Sequence, residues 1–436
     1  MMTDQMMRSA DASRGRFSKP KNQSVERQKP KRQRPKAVRL PRNAPEVELT
    51  IKFVGSRGDG TGTAQYTVEN ETKHWPFYVP GSLEGEQVRV KPQQVTSQGL
   101  TAELVELITL NPDRSAPVCD VFAGLKGCGG CSLQHMSKAA YQDWKLEQLK
   151  CVFEKANLVK NTLMGGPFAP PVWTQMAGRR RMRLSYQRTA KALIIGFTGR
   201  ASHFIYPLES CGVLQTKLKQ LIKRLNDWAA PHLSSGQSGK IAVNLLSSGA
   251  DILLLPDEIL ADKVLTALSL GLANLPVCRL CVRQPDSKIP LLLIEKAPPV
   301  LQLDRVVGGQ KLYPPPGSFL QASAEAETAL IQAILQAADV RKDRLQTGRP
   351  LRIMDLYCGV GTFTLPLLSS GAIVTGYEAD RAAVNSLLAA ARIAGLGPSC
   401  SAHMRDLVAT PVRAEEFCTA EFEPKFDLIL LDPPRQ

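Results

Sequence analysis

The sequence predicts an α/β multidomain chain with an OB-like β-barrel, a central α+β region that holds a cysteine cluster, and a Rossmann-like domain. Three observations support this fold class. Short strand-like runs crowd residues 46–111, three cysteines fall within the 13 residues Cys119–Cys131, and a β-α-β-α-β pattern follows the break at Pro314–Gly317. A block of strands, and strands that alternate with helices, are typical of separate layered domains. The 436 residues have room for about two to four domains.

The first predicted unit, residues 1–45, is a disordered basic arm. It contains 13 Lys or Arg and 3 Asp or Glu, so it contributes +10 to a net charge of +15. Such a segment has few apolar residues and cannot bury enough surface to offset the entropy of ordering. A basic arm suits RNA phosphates, where it would release counterions. The alternative is a solubilising tail.

Composition also narrows the cellular setting. No apolar run approaches the roughly 20 residues of a membrane span, and the N-terminus lacks the hydrophobic core of a signal peptide. We expect a cytoplasmic protein with no membrane partner and no obligate protein partner. In a cytosolic chain, clustered cysteines favour metal or cluster binding over disulfides.

Residues 46–111 form the second predicted unit. A glycine-rich turn, Gly55–Gly62, separates the first two of its strand-like runs. Several short strands in so short a stretch predict a small barrel of the OB type, a fold that commonly binds nucleic acid. The predicted strands are Val47–Phe53, Trp75–Tyr78, Gln87–Val90 and Leu100–Ile108.

Residues 112–315 form the central unit, which carries the cysteines. Cys119, Cys128 and Cys131 lie on a compact loop whose Gly129 and Gly130 let the chain wrap around a metal. A fourth ligand has to come from elsewhere, and Cys211 is a reasonable donor. Four thiolates can hold a [4Fe–4S] cluster or zinc, and the spacing does not choose between them. Ordinary buried thiols are the alternative.

The rest of the central unit alternates strands and helices. The arginine-rich run Arg179–Arg183 opens a strand and is a predicted RNA contact, as are the barrel and the basic arm. Cys278 and Cys281 form a second pair, but within a predicted strand they are expected to be packing residues. Helices are predicted at Lys138–Ala156, Leu214–Ala229 and Asp257–Leu270.

Residues 316–436 form the Rossmann-like unit. After a helix at Ser323–Ala338, strands and helices alternate in the way that builds a parallel sheet. The predicted strands are Leu351–Tyr357, Ala372–Tyr377, Ser401–Met404 and Phe426–Leu431, and the predicted helices are Phe363–Ser369 and Arg381–Ile393.

The loop after the first of these strands predicts a cofactor site. Gly359 and Gly361 allow a tight turn and close approach of a ligand to the backbone. A dinucleotide fold would have a third glycine at position 364, where this chain has Thr364. Glu378 ends the second strand, 17 residues after Gly361, where a carboxylate can accept hydrogen bonds from ribose hydroxyls. With Asp432-Pro433-Pro434 at a later strand, this order indicates S-adenosylmethionine; another adenosine ligand is the alternative.

With these motifs the chain resembles the TRAM-domain RNA uracil-5-methyltransferases, which make 5-methyluridine in ribosomal or transfer RNA. The resemblance covers Glu46–Gln436. It rests on the Cys128-Gly-Gly-Cys131 loop followed by Gln134-His135, on Gly317–Gln321, on Met354–Phe363 and on Asp432–Arg435. It implies a TRAM barrel and a class I S-adenosylmethionine-dependent methyltransferase domain.

The resemblance also implies roles for single residues. Cys119, Cys128, Cys131 and Cys211 match the [4Fe–4S] ligands of the cluster-bearing branch, which acts mainly on large-subunit ribosomal RNA. Ribosomal RNA is therefore the expected partner over transfer RNA. The positions that match contacts to S-adenosylmethionine are Gln321, Tyr357, Gly359, Gly361, Thr362, Glu378, Asp406 and Asp432.

No catalytic residue is assigned within the chain. In the family's mechanism a cysteine thiolate adds to C6 of the uracil, and that cysteine and the general base follow the Asp-Pro-Pro-Arg motif. We therefore expect the nucleophile after Gln436, a truncated methyltransferase domain, and no complete turnover by residues 1–436. The alternatives are an amino-directed nucleic-acid methyltransferase, which usually has an aromatic residue in place of Arg435, and a non-catalytic RNA-binding iron–sulfur protein.

Overall fold

A computed structural model describes residues 38–122, 124–156, 171–200, 202–208, 211–272, 275–303, 309–346, 348–417 and 425–434. The basic arm up to residue 37, Cys418 and Arg435 lie outside these residues. The α-helices are α1 Lys138–Lys155, α2 Thr216–Ala229, α3 Asp262–Leu270, α4 Ala324–Leu345, α5 Thr364–Ser369 and α6 Arg381–Ile393. The strands are β1 Val38–Arg39, β2 Val47–Val54, β3 Asp59–Val68, β4 Glu71–Pro80, β5 Gln87–Thr96, β6 Gly99–Leu107, β7 Arg181–Arg188, β8 Leu193–Thr198, β9 Ile205–Pro207, β10 Ser238–Leu246, β11 Gly249–Pro256, β12 Val277–Val282, β13 Leu291–Glu295, β14 Leu301–Leu303, β15 Gln310–Leu312, β16 Arg352–Leu356, β17 Ile373–Glu378, β18 Cys400–Met404 and β19 Leu428–Leu431.

The N-terminal sheet closes into a barrel, because β5 pairs with both β2 and β6 and β6 also pairs with β4. Phe77, Val79, Val88 and Leu100 are fully buried inside it. The barrel was predicted, but its start was placed too late. β1 pairs with β5, so residues 38–45 belong to the barrel and not to the arm.

The predicted glycine-rich turn is half turn and half strand. Residues 55–58 form the turn, in which the Gly58 N–H donates to the Gly55 carbonyl at 2.8 Å, and β3 begins at Asp59. A Cβ on Gly60 would lie 2.0 Å from Ser82 Oγ, and one on Gly62 would lie 2.5 Å from the Thr50 carbonyl oxygen. These two glycines therefore serve close packing of the barrel, which a sequence pattern does not distinguish from turn formation.

The central region is built on a seven-stranded sheet of order β13-β12-β11-β10-β7-β8-β9. α2 and α3 cover one face of this sheet, and Leu184, Leu218, Leu225 and Leu280 form the core between them. The apolar spacing of α2 places its buried residues on a single side. The opposite face carries polar side chains and is partly covered by residues that follow β15. α2 matches its prediction closely, whereas α3 begins five residues later than expected, at Asp262.

The C-terminal region has a fully parallel four-stranded sheet of order β18-β17-β16-β19. Leu365, Leu367, Val374 and Leu387 are buried in its core. α4 runs to Leu345, seven residues beyond the predicted end, and Ser323 caps its first turn by accepting from the Ala326 N–H at 3.1 Å. The β14–β15 hairpin also contributes to this core, so the packed unit begins before residue 316.

One carboxylate joins the barrel to the cysteine region. The Glu86 side chain is fully buried and accepts from Arg114 Nε at 2.6 Å and Nη2 at 2.7 Å. It also accepts from the Leu83 N–H at 2.7 Å. Burial alone would raise the pKa of Glu86, but the Arg114 and backbone donors together hold it below its usual value.

In the described part of the chain, no helix is long and apolar enough to cross a membrane.

Candidate active site

The carboxyl ends of the parallel strands bring the predicted cofactor residues to one edge of the C-terminal sheet. Tyr357 follows β16, Glu378 ends β17, Asp406 follows β18 and Asp432 follows β19. All four strands run in the same direction, so these residues share the edge at which α/β folds bind ligands. We call it the cofactor edge.

The turn after β16 has a left-handed backbone conformation at three positions. Tyr357, Gly359 and Gly361 have φ values of +64°, +55° and +94°. The Tyr357 N–H donates to the Tyr377 carbonyl at 2.9 Å, which fixes the turn against β17. A positive φ is strained for a non-glycine residue, so Tyr357 is held there by its surroundings.

Glu378 braces this turn from the neighbouring strand. Its Oε2 accepts from the Gly359 N–H at 3.1 Å, and its Oε1 accepts from the Asp380 N–H at 3.0 Å. The carboxylate therefore has a fixed orientation at the cofactor edge before any ligand arrives. The half-buried position leaves it reachable by a polar ligand.

Asp355 is a member of this edge that the sequence analysis did not single out. It is 1% exposed and accepts from Thr364 Oγ1 at 2.6 Å. Burial raises the pKa of Asp355 to about 7, the Thr364 hydrogen bond opposes this, and the charges of Asp432 and Glu378 raise it further. Asp355, Glu378 and Asp432 thus lie within electrostatic range of one another and make the edge acidic. The sequence feature that could have indicated Asp355 is its hydrogen-bond donor Thr364, which stands where a dinucleotide fold has glycine.

The structure also places three further predicted cofactor contacts. Asp406 Oδ1 accepts from the N–H groups of Val408 and Ala409, at 2.9 and 3.0 Å, and caps the turn after β18. Gln321 lies between β15 and α4, next to Leu320. Leu320 is fully buried in the same core as Val360 of the turn. Thr362 is half-buried in the same turn.

The four predicted metal ligands converge. Cys119, Cys128, Cys131 and Cys211 line one cavity of about 50 Å³, together with Phe122 and Gln134 among others. Burial raises the pKa of Cys128, and the neighbouring Cys131, Cys119 and Cys211 thiols raise it further. Burial also raises the pKa of Cys131, with the Gln134 side chain opposing it. The structure therefore brings together a loop and a residue 80 positions downstream of it.

Backbone contacts shape this loop. The Cys128 N–H donates to the Val121 carbonyl at 2.9 Å, and the Gly129 N–H donates to the Thr198 carbonyl at 3.0 Å. A Cβ on Gly129 would lie 2.9 Å from that Thr198 oxygen, so glycine permits the approach. The Gly130 N–H points to Cys128 Sγ at 3.4 Å, as expected for a loop that donates to a thiolate.

The thiols surround a cavity without forming a compact ion site. Among the described residues, no group of three or more His, Cys, Asp or Glu side chains has the arrangement of a metal-ion site. Four thiols around one cavity are nonetheless the donor set of an iron–sulfur cluster, and the same set could close on zinc. The donor chemistry fits the prediction and leaves the choice of metal open.

Four of the remaining described cysteines do not have the environment of a nucleophile. Cys358 lies in the cofactor turn, but its thiol packs against Gly376, and burial raises its pKa far above the usual value. Burial likewise raises the pKa of Cys400. Cys278 and Cys281 are buried within β12, which confirms them as packing residues.

The arginine-rich run divides into different roles. Arg180 was predicted to contact RNA, which is wrong for this residue: it is 4% exposed and forms an ion pair with Glu327 of α4. Arg181 lies 4.1 Å from the centre of the Phe319 ring, and Arg183 is exposed. Alternation along β7 explains why Arg181 and Arg183 share the polar face of the central sheet.

Comparisons with known proteins agree with this architecture. No protein-family model matches the chain. It is 32% identical over 395 residues to an uncharacterized RNA methyltransferase of Caulobacter vibrioides, which covers 89% of this chain and 84% of the relative. It is 28% identical over 403 residues to the 23S rRNA (uracil(1939)-C(5))-methyltransferase RlmD of Shewanella woodyi. That alignment covers 91% of this chain and 83% of the relative. A solved structure, the Pyrococcus abyssi tRNA (uracil-54, C5)-methyltransferase with S-adenosyl-L-homocysteine, is similar in fold, with a TM-score of 0.56, 16% identity and coverage of 89% and 84%.

Asp355 should make stability depend on pH. Its pKa is raised from 3.8 to about 7 on folding, so its contribution is fully present below about pH 4 and is lost as pH rises through 7. Asp355→Asn cannot ionise. It should gain stability relative to the parent by up to about 4 kcal/mol between pH 4 and pH 8.

Urea unfolding across this pH range measures the effect. Asp432→Asn is the matched variant, because it removes a charge that raises the Asp355 pKa and should move the transition to lower pH. A difference between Asp355→Asn and the parent that stays constant across the range would contradict the assignment.

Proposed function

The chain belongs to the RNA uracil-C5 methyltransferase family, and from this we propose that it methylates C5 of uridine in ribosomal RNA with S-adenosylmethionine as methyl donor. The observation that carries the proposal is the convergence of the glycine turn, Glu378 and Asp432 at one edge of a parallel sheet. The ribosomal substrate is inferred from the relative's activity on 23S rRNA. We place the reaction in the cytoplasm.

The residues of the edge fit the parts of this ligand. When bound, S-adenosylmethionine supplies an electrophilic methyl group on a sulfonium centre. Glu378 is oriented to accept hydrogen bonds from the ribose hydroxyls, since its bonds to Gly359 and Asp380 already fix its carboxylate. Asp432 adds negative charge at the open end of the edge, where a cationic centre is stabilised. Gln321, Tyr357, Gly361, Thr362 and Asp406 complete the proposed contact set.

Uracil C5 needs activation before it can accept a methyl group. We propose the family's route, in which a thiolate adds to C6 and makes C5 nucleophilic, after the base has left its RNA stack. Cys358 lies in the turn itself, and its raised pKa opposes thiolate formation. We infer that this thiol does not form the adduct.

We propose that the four-cysteine cavity holds a [4Fe–4S] cluster. Cys119, Cys128 and Cys131 would bind it from the loop and Cys211 from the segment before α2. The cluster would supply thiolate-to-iron bonds that cross-link these two segments. Burial and the neighbouring cysteines raise the pKa of Cys128 and Cys131 and so disfavour their thiolate forms, and a bound cation would reverse that effect.

We propose that RNA binds the polar face of the central sheet. Arg183 of β7 and Lys240 of β10 are exposed there on adjacent strands, and Arg181 lies beside Phe319 on the same face. Three cations and an exposed aromatic ring suit single-stranded RNA, whose phosphates and bases need those two kinds of contact. The barrel and the basic arm are the other proposed contacts.

Glu378→Gln tests the cofactor assignment. Loss of a charged acceptor for the ribose hydroxyls should raise the Kd for S-adenosyl-L-homocysteine by about 10- to 100-fold. Isothermal titration of residues 1–436 measures this directly, and it does not depend on turnover. Glu415→Gln, an exposed residue of the short helix Ala414–Glu416, is the control and should leave the affinity unchanged. Equal affinities for both variants would remove Glu378 from the site.

Metal analysis tests the cysteine cavity. Protein purified without oxygen should contain about four iron and four acid-labile sulfide per chain. Cys128→Ser and Cys211→Ser should each lose most of both. Cys151→Ser on α1 changes a thiol that does not line the cavity and should retain them. About one zinc per chain would instead favour the zinc alternative, and protein with neither metal would contradict both.

The salt dependence of RNA binding tests the polar face. The double variant Arg183→Ala with Lys240→Ala should bind RNA more weakly and lower the slope of log K against log salt by about 1 to 2. Lys217→Ala with Lys223→Ala removes the same charge from α2, on the other side of the sheet, and should have a smaller effect. Equal losses for the two pairs would indicate a general charge effect and no specific face.

A further inference from the structure

Residues 313–322, which we call the linker, join β15 to α4 and run across the polar face of the central sheet. Their sequence is Tyr-Pro-Pro-Pro-Gly-Ser-Phe-Leu-Gln-Ala. Prolines lack an N–H group, so the first half of this segment cannot join a sheet as an ordinary strand. Its buried carbonyls therefore need donors from other side chains.

Three buried side chains of the central region supply these donors. Arg279 Nη2 donates to the Pro314 carbonyl at 2.8 Å, and Asn244 Nδ2 donates to the Ser318 carbonyl at 2.9 Å. Arg180 Nε donates to the Gln321 carbonyl at 3.0 Å, and its backbone N–H donates to the Ala322 carbonyl at 2.8 Å. These donors come from β12, from β10 and from the residue before β7, so the linker crosses the strands in order.

Each arginine is neutralised where it is buried. Arg279 forms two hydrogen bonds with Asp251 of β11, at 2.8 and 2.9 Å, and Arg180 pairs with Glu327 in the first turn of α4. Buried ion pairs contribute little net stability compared with apolar packing of the same volume. These ion pairs instead fix the position of the linker, because each guanidinium binds a carboxylate and a linker carbonyl at the same time.

The linker lies very close to the sheet. Gly317 has φ +73°, and a Cβ there would lie 2.6 Å from Leu253 Cδ2 of β11. Leu320 is fully buried in the core that also contains Val360 and Phe363 of the cofactor turn. Phe319, between the carbonyls bound by Asn244 and Arg180, is 64% exposed. The backbone is therefore fixed on both sides of an exposed ring.

We propose that Asn244 and Arg180 are positioning residues that hold the linker backbone so that Gln321 keeps the position from which it would contact the cofactor. Arg279 fixes the start of the linker, and Glu327 holds Arg180 in place. The inference rests on the proposed function for the role of the edge, whereas the clamp itself stands on the contacts above. Arg180 thus acts on the cofactor site from within the central region, without touching the ligand.

Hydrogen exchange and cofactor binding test this together. Asn244→Ala should speed amide exchange of residues 317–322 and raise the Kd for S-adenosyl-L-homocysteine by about fivefold, as expected for one lost hydrogen bond. The control is Asn226→Ala, which removes an equivalent amide-to-carbonyl bond, at 2.8 Å to Leu193, far from the linker in sequence. It should lower Tm comparably and change neither linker exchange nor Kd.

A second variant avoids reliance on one substitution. Arg180→Lys keeps a positive charge for Glu327 but loses the fork that also binds Gln321, so it should reproduce the faster exchange and weaker binding. Linker exchange as slow in Asn244→Ala and Arg180→Lys as in Asn226→Ala would overturn the proposal. Parent protein that binds no S-adenosyl-L-homocysteine would contradict the proposed function, while the exchange measurements on ligand-free protein would still decide the clamp.

Discussion

The register of the parallel C-terminal sheet is the constraint on which the candidate site depends. Asp355 of β16 pairs with Gly376 of β17 and with Leu430 of β19. This pairing brings the ends of three strands level, so that Asp355, Glu378 and Asp432 interact electrostatically. A shift of one residue along any strand would turn its side chains to the opposite face and separate these carboxylates. The glycine turn alone, without this register, would not define a site.

Much of this arrangement could be predicted from the sequence, because it follows from local rules. The strand-turn-helix pattern around Gly359 and Gly361 places them at a strand end, and α6 matches its predicted bounds from Arg381 to Ile393. The convergence of the loop cysteines with Cys211 could also be proposed, since three thiols on one loop require a distant fourth donor. In each case the residue types and their spacing were sufficient for the prediction.

Other features depend on contacts between distant residues and could not be read locally. Gly60 and Gly62 look like turn residues, yet the approach of neighbouring strands requires them within β3. Arg180 stands in a basic run that looks solvent-exposed, and only the partner Glu327, 147 residues away, reveals it as buried. In the sequence Asp355 looks like an ordinary strand residue. Only the fold shows that it is buried next to two carboxylates, which together raise its pKa.

Tyr357 shows how such a site limits the improvement of the protein. A tyrosine at φ +64° costs of the order of 1–3 kcal/mol, and glycine would remove that cost. Stability engineering would therefore select this position first, and in doing so would delete a ring from the cofactor edge. The proposed cofactor contact of Tyr357 would therefore set selection for thermal tolerance against selection for activity at this position.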